Sequence, residues 1–187
     1  MTKKERTLRI IGGELRRRQV TFGTHPGIRP TPDRVRETLF NWLAPVLPGA
    51  RCLELYAGSG ILSMEALSRG ARHVTLIEKD TKTCESLLGN LERLGVPAER
   101  FDVENAVVET FMARRSPGPF DIVFIDPPFS DHHVEPLLAQ LGDRDWLADD
   151  AMIYVESPMA LAAPPRFHVH RSGRAGQVHY CLLRRDT

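Results

Sequence analysis

The sequence has few cysteines and contains no long apolar run. Its three cysteines, Cys52, Cys84 and Cys181, lie far apart and show no metal-ligand spacing, and the adjacent pair His132-His133 is not spaced for a metal site either. No apolar run approaches the roughly 20 residues that a membrane-spanning helix needs. The charged start of the chain leads into no apolar signal segment. These absences predict a cytoplasmic protein with no metal site and no membrane-spanning segment.

The charge of the chain is unevenly distributed along its length. The net charge is +1, but residues 1–36 carry ten basic and three acidic side chains, a local charge of +7, whereas the rest of the chain carries −6. A basic segment on an acidic body indicates a polyanionic partner, of which nucleic acid is the commonest. The alternative is a solvated basic tail with no partner.

The basic segment also contains a structural pattern. The apolar runs at residues 8–13 and 19–22 predict two strands of a β-hairpin that displays Arg16, Arg17 and Arg18. We therefore divide the chain into a basic β-hairpin extension, residues 1–30, and a main domain, residues 31–187.

From residue 31 onward the pattern indicates alternating helices and strands. Thr31 as N-cap and Pro32 at the first helical position predict a helix that ends before Pro45. Strand-like and helical segments then alternate, as expected for a parallel sheet with helices on both faces. The predicted strands are residues 51–56, 73–78, 100–103, 120–126 and 151–156, and the predicted helices are residues 61–69, 82–94, 107–114 and 132–141.

The end of the chain departs from this alternation. Residues 166–171 and 177–183 are strand-like runs with no helix between them, so they predict an antiparallel hairpin. The predicted fold class is therefore α/β: a doubly wound, mostly parallel seven-stranded sheet of Rossmann-like type that ends in this hairpin.

A glycine-containing loop after the first predicted strand of the sheet indicates a nucleoside site. Gly58 and Gly60 let a ligand approach the backbone closely, although Ser63 stands where a dinucleotide fingerprint has its third glycine. Glu78 ends the next strand, where a carboxylate accepts hydrogen bonds from ribose hydroxyls. Glu54 disfavours a pyrophosphate and favours a cationic ligand. These residues favour S-adenosylmethionine over a nicotinamide dinucleotide.

A second candidate site follows the strand at residues 120–126. Asp126-Pro127-Pro128-Phe129 places a carboxylate, two prolines and an aromatic ring at the edge of the sheet where open α/β folds bind ligands. The prolines stiffen the loop and leave carbonyl oxygens able to accept hydrogen bonds. These groups suit a flat base that carries an amine, and the alternative is a strand-ending turn. Together with the glycine loop, Glu78 and the basic segment, they predict methylation of a base amine.

Several longer motifs allow a closer comparison. They are Arg9-Ile10-Ile11-Gly12-Gly13, Arg29-Pro30-Thr31, residues 33–43, Ala57-Gly58-Ser59-Gly60, residues 65–71, Asp126-Pro127-Pro128-Phe129 and Gly176-Gln177-Val178. They resemble the class I S-adenosylmethionine-dependent methyltransferases, and within that class the RsmD family of bacterial guanine-N2 methyltransferases of small-subunit ribosomal RNA. The resemblance extends from residue 8 to residue 184.

The resemblance implies a role for each matching residue. Asp126 and Pro127 would accept hydrogen bonds from the target amine, and Phe129 would stack on the base. The residues implied for cofactor binding are Glu54, Tyr56, Ala57, Gly58, Ser59, Gly60, Glu78, Lys79, Asn105, Ala106, Asp126 and Thr31. The residues implied for RNA binding are Arg16, Arg17, Arg18, Arg29, Arg34 and Arg36.

The chain departs from the family pattern at four of these positions. Glu54 replaces a common Asp, and Tyr56 replaces a common Phe. Asn105 stands where an Asp usually contacts the adenine amino group, and we expect its side-chain oxygen to accept that bond instead. Arg17 occupies a place that is often Gly, which leaves the local backbone geometry of the hairpin open.

The residues leave several functions open. The nearest alternative is an N6-adenine or other RNA or DNA amino methyltransferase, because the same motif suits adenine. Less favoured are a protein glutamine methyltransferase, a non-catalytic RNA-binding module and a nicotinamide dehydrogenase. For the favoured function the expected partner is ribosomal RNA within a small-subunit particle or assembly intermediate, and the expected state is a monomer.

Overall fold

Seven strands form the central sheet of the protein. The computed structural model describes residues 6–23, 31–114, 116–128, 134–143 and 145–186. The sheet contains β3 (Arg51–Leu55), β4 (His73–Glu78), β5 (Phe101–Asn105), β6 (Phe120–Ile125), β7 (Leu147–Ser157), β8 (Phe167–Ala175) and β9 (Val178–Arg185). Its strand order is β5-β4-β3-β6-β7-β9-β8. The strands β3 to β7 are parallel, and β9 pairs antiparallel with both β7 and β8, which confirms the predicted fold class.

The helices cover both faces of this sheet. They are α1 (Asp33–Leu43), α2 (Ile61–Ser68), α3 (Thr81–Leu94), α4 (Val108–Met112) and α5 (Val134–Asp143). The first three pack with one face in a core that includes Phe40, Leu67 and Leu91. The last two pack against the other face around Phe111 and Trp146. Because helices cover both faces, the inner strands β3, β4 and β6 are buried on both sides and carry near-continuous apolar runs, whereas the edge strands β5 and β8 are largely exposed or half-buried.

A two-stranded antiparallel hairpin, β1 (Arg6–Arg9) and β2 (Gln19–Phe22), precedes α1. It packs on the same face as the first three helices, since Ile10 and Val20 are buried in that core. The backbone of Thr21 exchanges hydrogen bonds with the side chain of Asn90 on α3, at 3.0 and 2.6 Å. Gly13 adopts a left-handed conformation (φ 77°) against Ser68, so close that an added Cβ would overlap the Ser68 carbonyl. The predicted hairpin is therefore present and is fitted tightly to the main domain.

A buried carboxylate joins the hairpin to two helices. Glu65 Oε1 accepts hydrogen bonds from the Ile11 amide at 2.6 Å and from Arg36 Nη1 at 2.8 Å, and Oε2 accepts one from Arg69 Nε at 3.2 Å. Arg36 also donates to the carbonyls of Arg9 and Thr31. We call this set of contacts the Glu65 clasp. It links the hairpin to α1 and α2. Its hydrogen bonds pair most of the charged groups of both the Glu65 carboxylate and the Arg36 guanidinium.

The Glu65 clasp corrects the prediction that Arg36 binds RNA. The side chain of Arg36 is fully buried, and its guanidinium donates to Glu65, to Asp33 and to backbone carbonyls. Its sequence position among basic residues suggested an exposed phosphate ligand. The helical spacing places it instead on the buried face of α1, where its charge serves the fold.

The start of α1 also differs from the prediction. Pro32 is the N-cap residue and no side chain caps the helix, so Thr31 and Pro32 each stand one position earlier than expected. The Thr31 hydroxyl donates instead to Glu156 Oε1 at 2.7 Å. The hydroxyl that was expected to cap the helix therefore binds Glu156, a residue far along the chain that the local sequence does not reveal.

The C-terminal hairpin is longer than predicted. Residues 172–175, expected to lie in the loop, continue β8 and pair with β9, and the turn is reduced to Gly176 (φ 60°) and Gln177. Gly173 is required for this pairing because an added Cβ would overlap the ring of Tyr180 on β9. Strand β7 likewise begins at Leu147 rather than at residue 151.

We predict that Arg36→Met destabilises the protein by about 3 kcal/mol, because it leaves the buried Glu65 carboxylate without its main cation. Arg34→Met is the matched control. Arg34 is exposed on the same helix, so its loss should change stability by less than about 0.5 kcal/mol. Chemical denaturation of both variants measures this difference, and equal stabilities would contradict the proposed importance of the Glu65 clasp.

Candidate active site

Four acidic side chains come from four neighbouring strands, at or near their carboxyl ends. Glu54 belongs to β3 and Glu78 to β4, while Asp126 directly follows β6 and Glu156 lies near the end of β7. The parallel register places these strand ends side by side. This is the edge at which open α/β sheets bind ligands. The fold has therefore concentrated negative charge at the expected site.

The glycine loop between β3 and α2 turns sharply over this edge. Tyr56, Gly58 and Gly60 all have left-handed backbone conformations, with φ of 61°, 52° and 68°. For Tyr56, a residue with a Cβ, that conformation is strained, and such strain is concentrated at functional sites. Hydrogen bonds hold the turn in place: the Ala57 amide donates to the Ile77 carbonyl, and the Gly60 amide donates to the Ala57 carbonyl. Ser59, within the turn, is buried.

Glu78 connects this loop to the next one. Its Oε2 accepts a hydrogen bond from the Gly58 amide at 3.0 Å, and its Oε1 accepts one from the Asp80 amide at 2.9 Å. Each carboxylate oxygen has a second lone pair, so both can still accept a bond from a ligand hydroxyl. Lys79 follows as an exposed residue. Glu78, the residue predicted to bind the ribose, thus also holds the conformation of the glycine loop.

Asn105, at the end of β5, holds the turn that follows Glu78. Its Nδ2 donates to the carbonyls of Glu78 and Lys79, and its Oδ1 accepts from the Thr81 hydroxyl at 2.9 Å. The Ala106 amide also donates to the Glu78 carbonyl. The oxygen that we expected to accept from adenine therefore already has one donor. Contact with adenine stays a prediction that uses the second lone pair of that oxygen.

Glu54 is buried beneath the loop. Its Oε2 accepts a hydrogen bond from the Ser63 amide in α2 at 3.0 Å. Burial raises the pKa of Glu54 to about 7, and the nearby charge of Glu78 adds to this, while the bonds from Ser63 oppose it. A carboxyl group in this state is poised to ionise when a cation binds beside it.

Asp126 has an environment of the same kind. Burial raises its pKa well above the usual range for Asp, and the negative charges of Glu156 and Glu54 raise it further. Pro127 and Pro128 continue the chain at the surface of the site and are partly buried. Phe129, the predicted stacking residue, lies outside the described residues, as do His132 and His133.

Glu156 is a site residue that the sequence analysis did not single out. It is buried at the end of β7, and its Oε1 accepts hydrogen bonds from the Thr31 hydroxyl at 2.7 Å and from the Tyr154 hydroxyl at 2.9 Å. Burial raises the pKa of Glu156, and these two hydrogen bonds partly oppose that effect. Ile125 pairs with Val155, so the residues that follow them, Asp126 and Glu156, are neighbours. The sequence signal that could have identified Glu156 was its position, since it is an acidic residue directly after the apolar run 151–155.

The predicted RNA-binding arginines fall into three groups. Arg16, Arg17 and Arg18 are exposed between the hairpin strands, and Arg34 is exposed on α1. Arg17 has a φ of 72°, a conformation that Gly adopts most easily. The backbone therefore keeps a glycine-like geometry at this position although the residue is Arg. Arg18 Nη2 donates to the Arg93 carbonyl at 2.7 Å. Arg29 lies outside the described residues, and Arg36 belongs to the Glu65 clasp.

No cluster of three or more His, Cys, Asp or Glu side chains in the described ranges has the arrangement of a metal site. The three cysteines are buried and unpaired. Within the same ranges, the helices are too short or too polar to cross a membrane.

Comparison with known proteins places the chain among methyltransferases. The family model described as "Conserved hypothetical protein 95" matches residues 8–184. Ribosomal RNA small subunit methyltransferase D of Escherichia coli K12 is 47% identical over 183 residues, covering 96% of this chain and 91% of the relative. The protein of the same name from Haemophilus influenzae is 39% identical, covering 94% and 92%.

Solved structures agree with these sequence relatives. The putative methyltransferase yhhF from Escherichia coli superposes with a TM-score of 0.87 at 47% identity, covering 97% of this chain and 99% of the other. SMU.776, a putative methyltransferase complexed with SAH, superposes with a TM-score of 0.72 at 12% identity, covering 98% and 57%. The second similarity shows the fold alone.

We predict that Glu54 makes the stability of the ligand-free protein fall as the pH rises from about 4.5 to 7. A carboxyl whose pKa is higher in the folded chain binds its proton more tightly there, so that contribution is lost as the pH rises through the folded value. Glu54→Gln removes it. As the pH rises between these values, the free energy of unfolding of the variant should increase by on the order of 3 kcal/mol relative to the wild type, at about 1.4 kcal/mol per pH unit.

Denaturant unfolding across this pH range measures the effect. Glu109→Gln is the control, because Glu109 is an exposed acid on α4 and its variant should follow the wild-type profile. Parallel profiles for Glu54→Gln and the wild type would show that Glu54 ionises normally in the folded chain.

Proposed function

The chain belongs to the RsmD family, and we propose that it transfers a methyl group from S-adenosylmethionine to the N2 amine of a guanine in small-subunit ribosomal RNA. The structural observation that supports this most is the convergence of Glu54, Glu78 and Asp126 beside a strained glycine loop. The choice of guanine over adenine is supported by family membership, since the Asp-Pro-Pro motif suits both bases.

The residues present fit S-adenosylmethionine. The ligand carries a sulfonium and an ammonium group, which favour ionised acids nearby, and Glu54 and Asp126 are acids with raised pKa values. Glu78 has acceptor capacity for ribose hydroxyls. When bound, the cofactor supplies an electrophilic methyl group. We assign the loop 56–60 with Glu54 to its methionine part, Glu78 and Lys79 to its ribose, Asn105 and Ala106 to its adenine, and Thr31 and Asp126 to the edge of the site.

Asp126 and Pro127 prepare the target amine. The lone pair of guanine N2 is delocalised into the ring, so the amine is a weak nucleophile. Hydrogen bonds from its two protons to the Asp126 carboxylate and the Pro127 carbonyl favour a pyramidal nitrogen with its lone pair available. With S-adenosylmethionine bound, its methyl group would pass to N2 as the bond from that methyl to sulfur breaks, and the bonding electrons would stay on sulfur. One N2 proton passes to Asp126 or to water, and the raised pKa of Asp126 makes it a better base.

The substrate RNA must place its base at this edge. We propose that the guanine is unstacked from its neighbours and that Phe129 stacks on it. The hairpin extension, residues 1–30, holds the backbone with Arg16, Arg17, Arg18 and Arg29, assisted by Arg34 from the main domain, residues 31–187. We further propose that the monomeric enzyme acts in the cytoplasm on a small-subunit particle or assembly intermediate.

The direct test is transfer of a labelled methyl group from S-adenosylmethionine to small ribosomal subunits that lack the modification, followed by nucleoside mass spectrometry. N2-methylguanosine is the expected product. Methyl on adenine N6 would refute the guanine assignment.

In the same assay Asp126→Ala should lower kcat by at least about 100-fold, because it removes the acceptor aligned with the amine. Its affinity for S-adenosylmethionine, measured by calorimetry, should change only by a small factor. Asp149→Ala is the matched control, since Asp149 is exposed near the other end of β7 and should keep full activity. Near-normal turnover by Asp126→Ala would contradict the mechanism.

Replacement of Arg16, Arg17 and Arg18 by Ala should raise the apparent KM for the subunit and reduce its salt dependence. Each lost phosphate contact lowers the slope of log affinity against log salt by roughly 0.7 to 0.9, so the slope should fall by about 2. A variant without Arg72 and Arg114 serves as the control, because these exposed arginines belong to the main domain and not to the hairpin. If both variants keep the wild-type slope, the hairpin does not grip the RNA.

A further inference from the structure

Glu156 lies beside the proposed catalytic residue and has no role in the mechanism given above. Ile125 of β6 pairs with Val155 of β7 in a parallel register, so Asp126 and Glu156 follow at matched positions. Side chains at matched positions of adjacent strands point to the same face, and such strands lie about 5 Å apart. A base whose amine is bound by Asp126 therefore lies within reach of Glu156.

Among the described residues, the hydrogen bonds that Glu156 accepts all end on one oxygen. Oε1 accepts hydrogen bonds from the hydroxyls of Thr31 and Tyr154, which fix the side chain from two elements. Over the described ranges, no donor contacts Oε2. The residue is only 6% exposed, and Oε2 is not among the fully buried side-chain atoms that lack a partner, so the small exposed part of the carboxylate includes this oxygen. This arrangement leaves an oriented acceptor at the substrate edge.

The bases differ in what lies beside their exocyclic amine. In guanine the N2 amine lies between N1–H, which is a donor, and N3, which is an acceptor, so guanine can present a donor beside its amine. In adenine the N6 amine lies between N1 and N7, both of which are acceptors, and in cytosine the N4 amine is adjacent to the acceptor N3. An acceptor fixed next to the amine-binding group is therefore complementary to guanine and repels the other two.

We propose that Glu156 is a specificity-determining residue whose Oε2 accepts a hydrogen bond from guanine N1–H while Asp126 and Pro127 hold N2. This role rests on the function proposed above and explains how the same Asp-Pro-Pro motif selects guanine. Thr31 and Tyr154 are then positioning residues. Their two hydroxyls donate to Oε1, which stabilises the ionised form of Glu156, the form that accepts.

The test uses 2-aminopurine, which keeps the N2 amine but has an acceptor at N1. Small-subunit RNA with either guanine or 2-aminopurine at the modified position is prepared by ligation and reconstituted into particles. We expect the wild type to have a kcat/KM at least on the order of 100-fold higher for guanine, because a site built for a donor rejects an analogue without it. Equal rates, as a protonated Glu156 would give, overturn the proposal.

Variants of Glu156 separate this effect from other contacts to the base. Glu156→Gln places an amide donor near N1, and Glu156→Met removes the acceptor, so in both the guanine preference should fall at least tenfold, the range of one charged hydrogen bond. The exposed Glu109→Gln should keep the wild-type preference. Calorimetric binding of S-adenosylmethionine shows that each variant is folded. If neither variant folds, the wild-type comparison still tests the proposal, because equal rates for the two bases would overturn it.

The outcomes also distinguish this proposal from the function on which it rests. If the wild type methylates guanine N2 but a folded Glu156 variant keeps the full preference, the role of Glu156 is wrong and the function stands. If the wild type methylates adenine N6 or no base, both are overturned.

Discussion

The Glu65 clasp is the interaction on which the arrangement of the molecule depends. One buried carboxylate accepts hydrogen bonds from the hairpin backbone, from Arg36 on α1 and from Arg69 at the end of α2. Arg36 also holds the carbonyl of Thr31, whose hydroxyl donates to Glu156. A continuous series of contacts thus connects the basic hairpin with the substrate edge of the sheet. Loss of either partner of the central Arg36–Glu65 pair leaves the other as an unpaired buried charge, which is why the pair is more important than a surface ion pair.

The second constraint is the concentration of acids at the edge of the sheet. Glu54, Asp126 and Glu156 have raised pKa values because they are buried and several lie close to like charges. In the ligand-free chain this arrangement is unfavourable. Under the proposed function, the positive groups of the cofactor and the donors of the base would relieve it.

The sequence predicted the elements well and several partners poorly. Periodicity and apolar runs identified every strand of the sheet, and the runs are most continuous in the inner strands, where burial on both faces requires them. The errors share a cause. Arg36 was assigned to RNA and Thr31 to a helix cap from their local surroundings, but each contacts a residue far along the chain. The side chain of Asn105 also holds the turn after Glu78, which the sequence did not reveal, and its contact with adenine stays a prediction.

By itself the sequence determined the fold class, the glycine loop, Glu78 and the Asp-Pro-Pro motif, since these depend on local spacing and on the residue types that a turn or a ligand requires. Only the tertiary structure decided which acids share the site. Glu156 lies 30 positions after Asp126 in the chain, and the parallel register of β6 and β7 makes them neighbours. Strand register is set by packing of the whole sheet against its helices, so no local pattern reveals it.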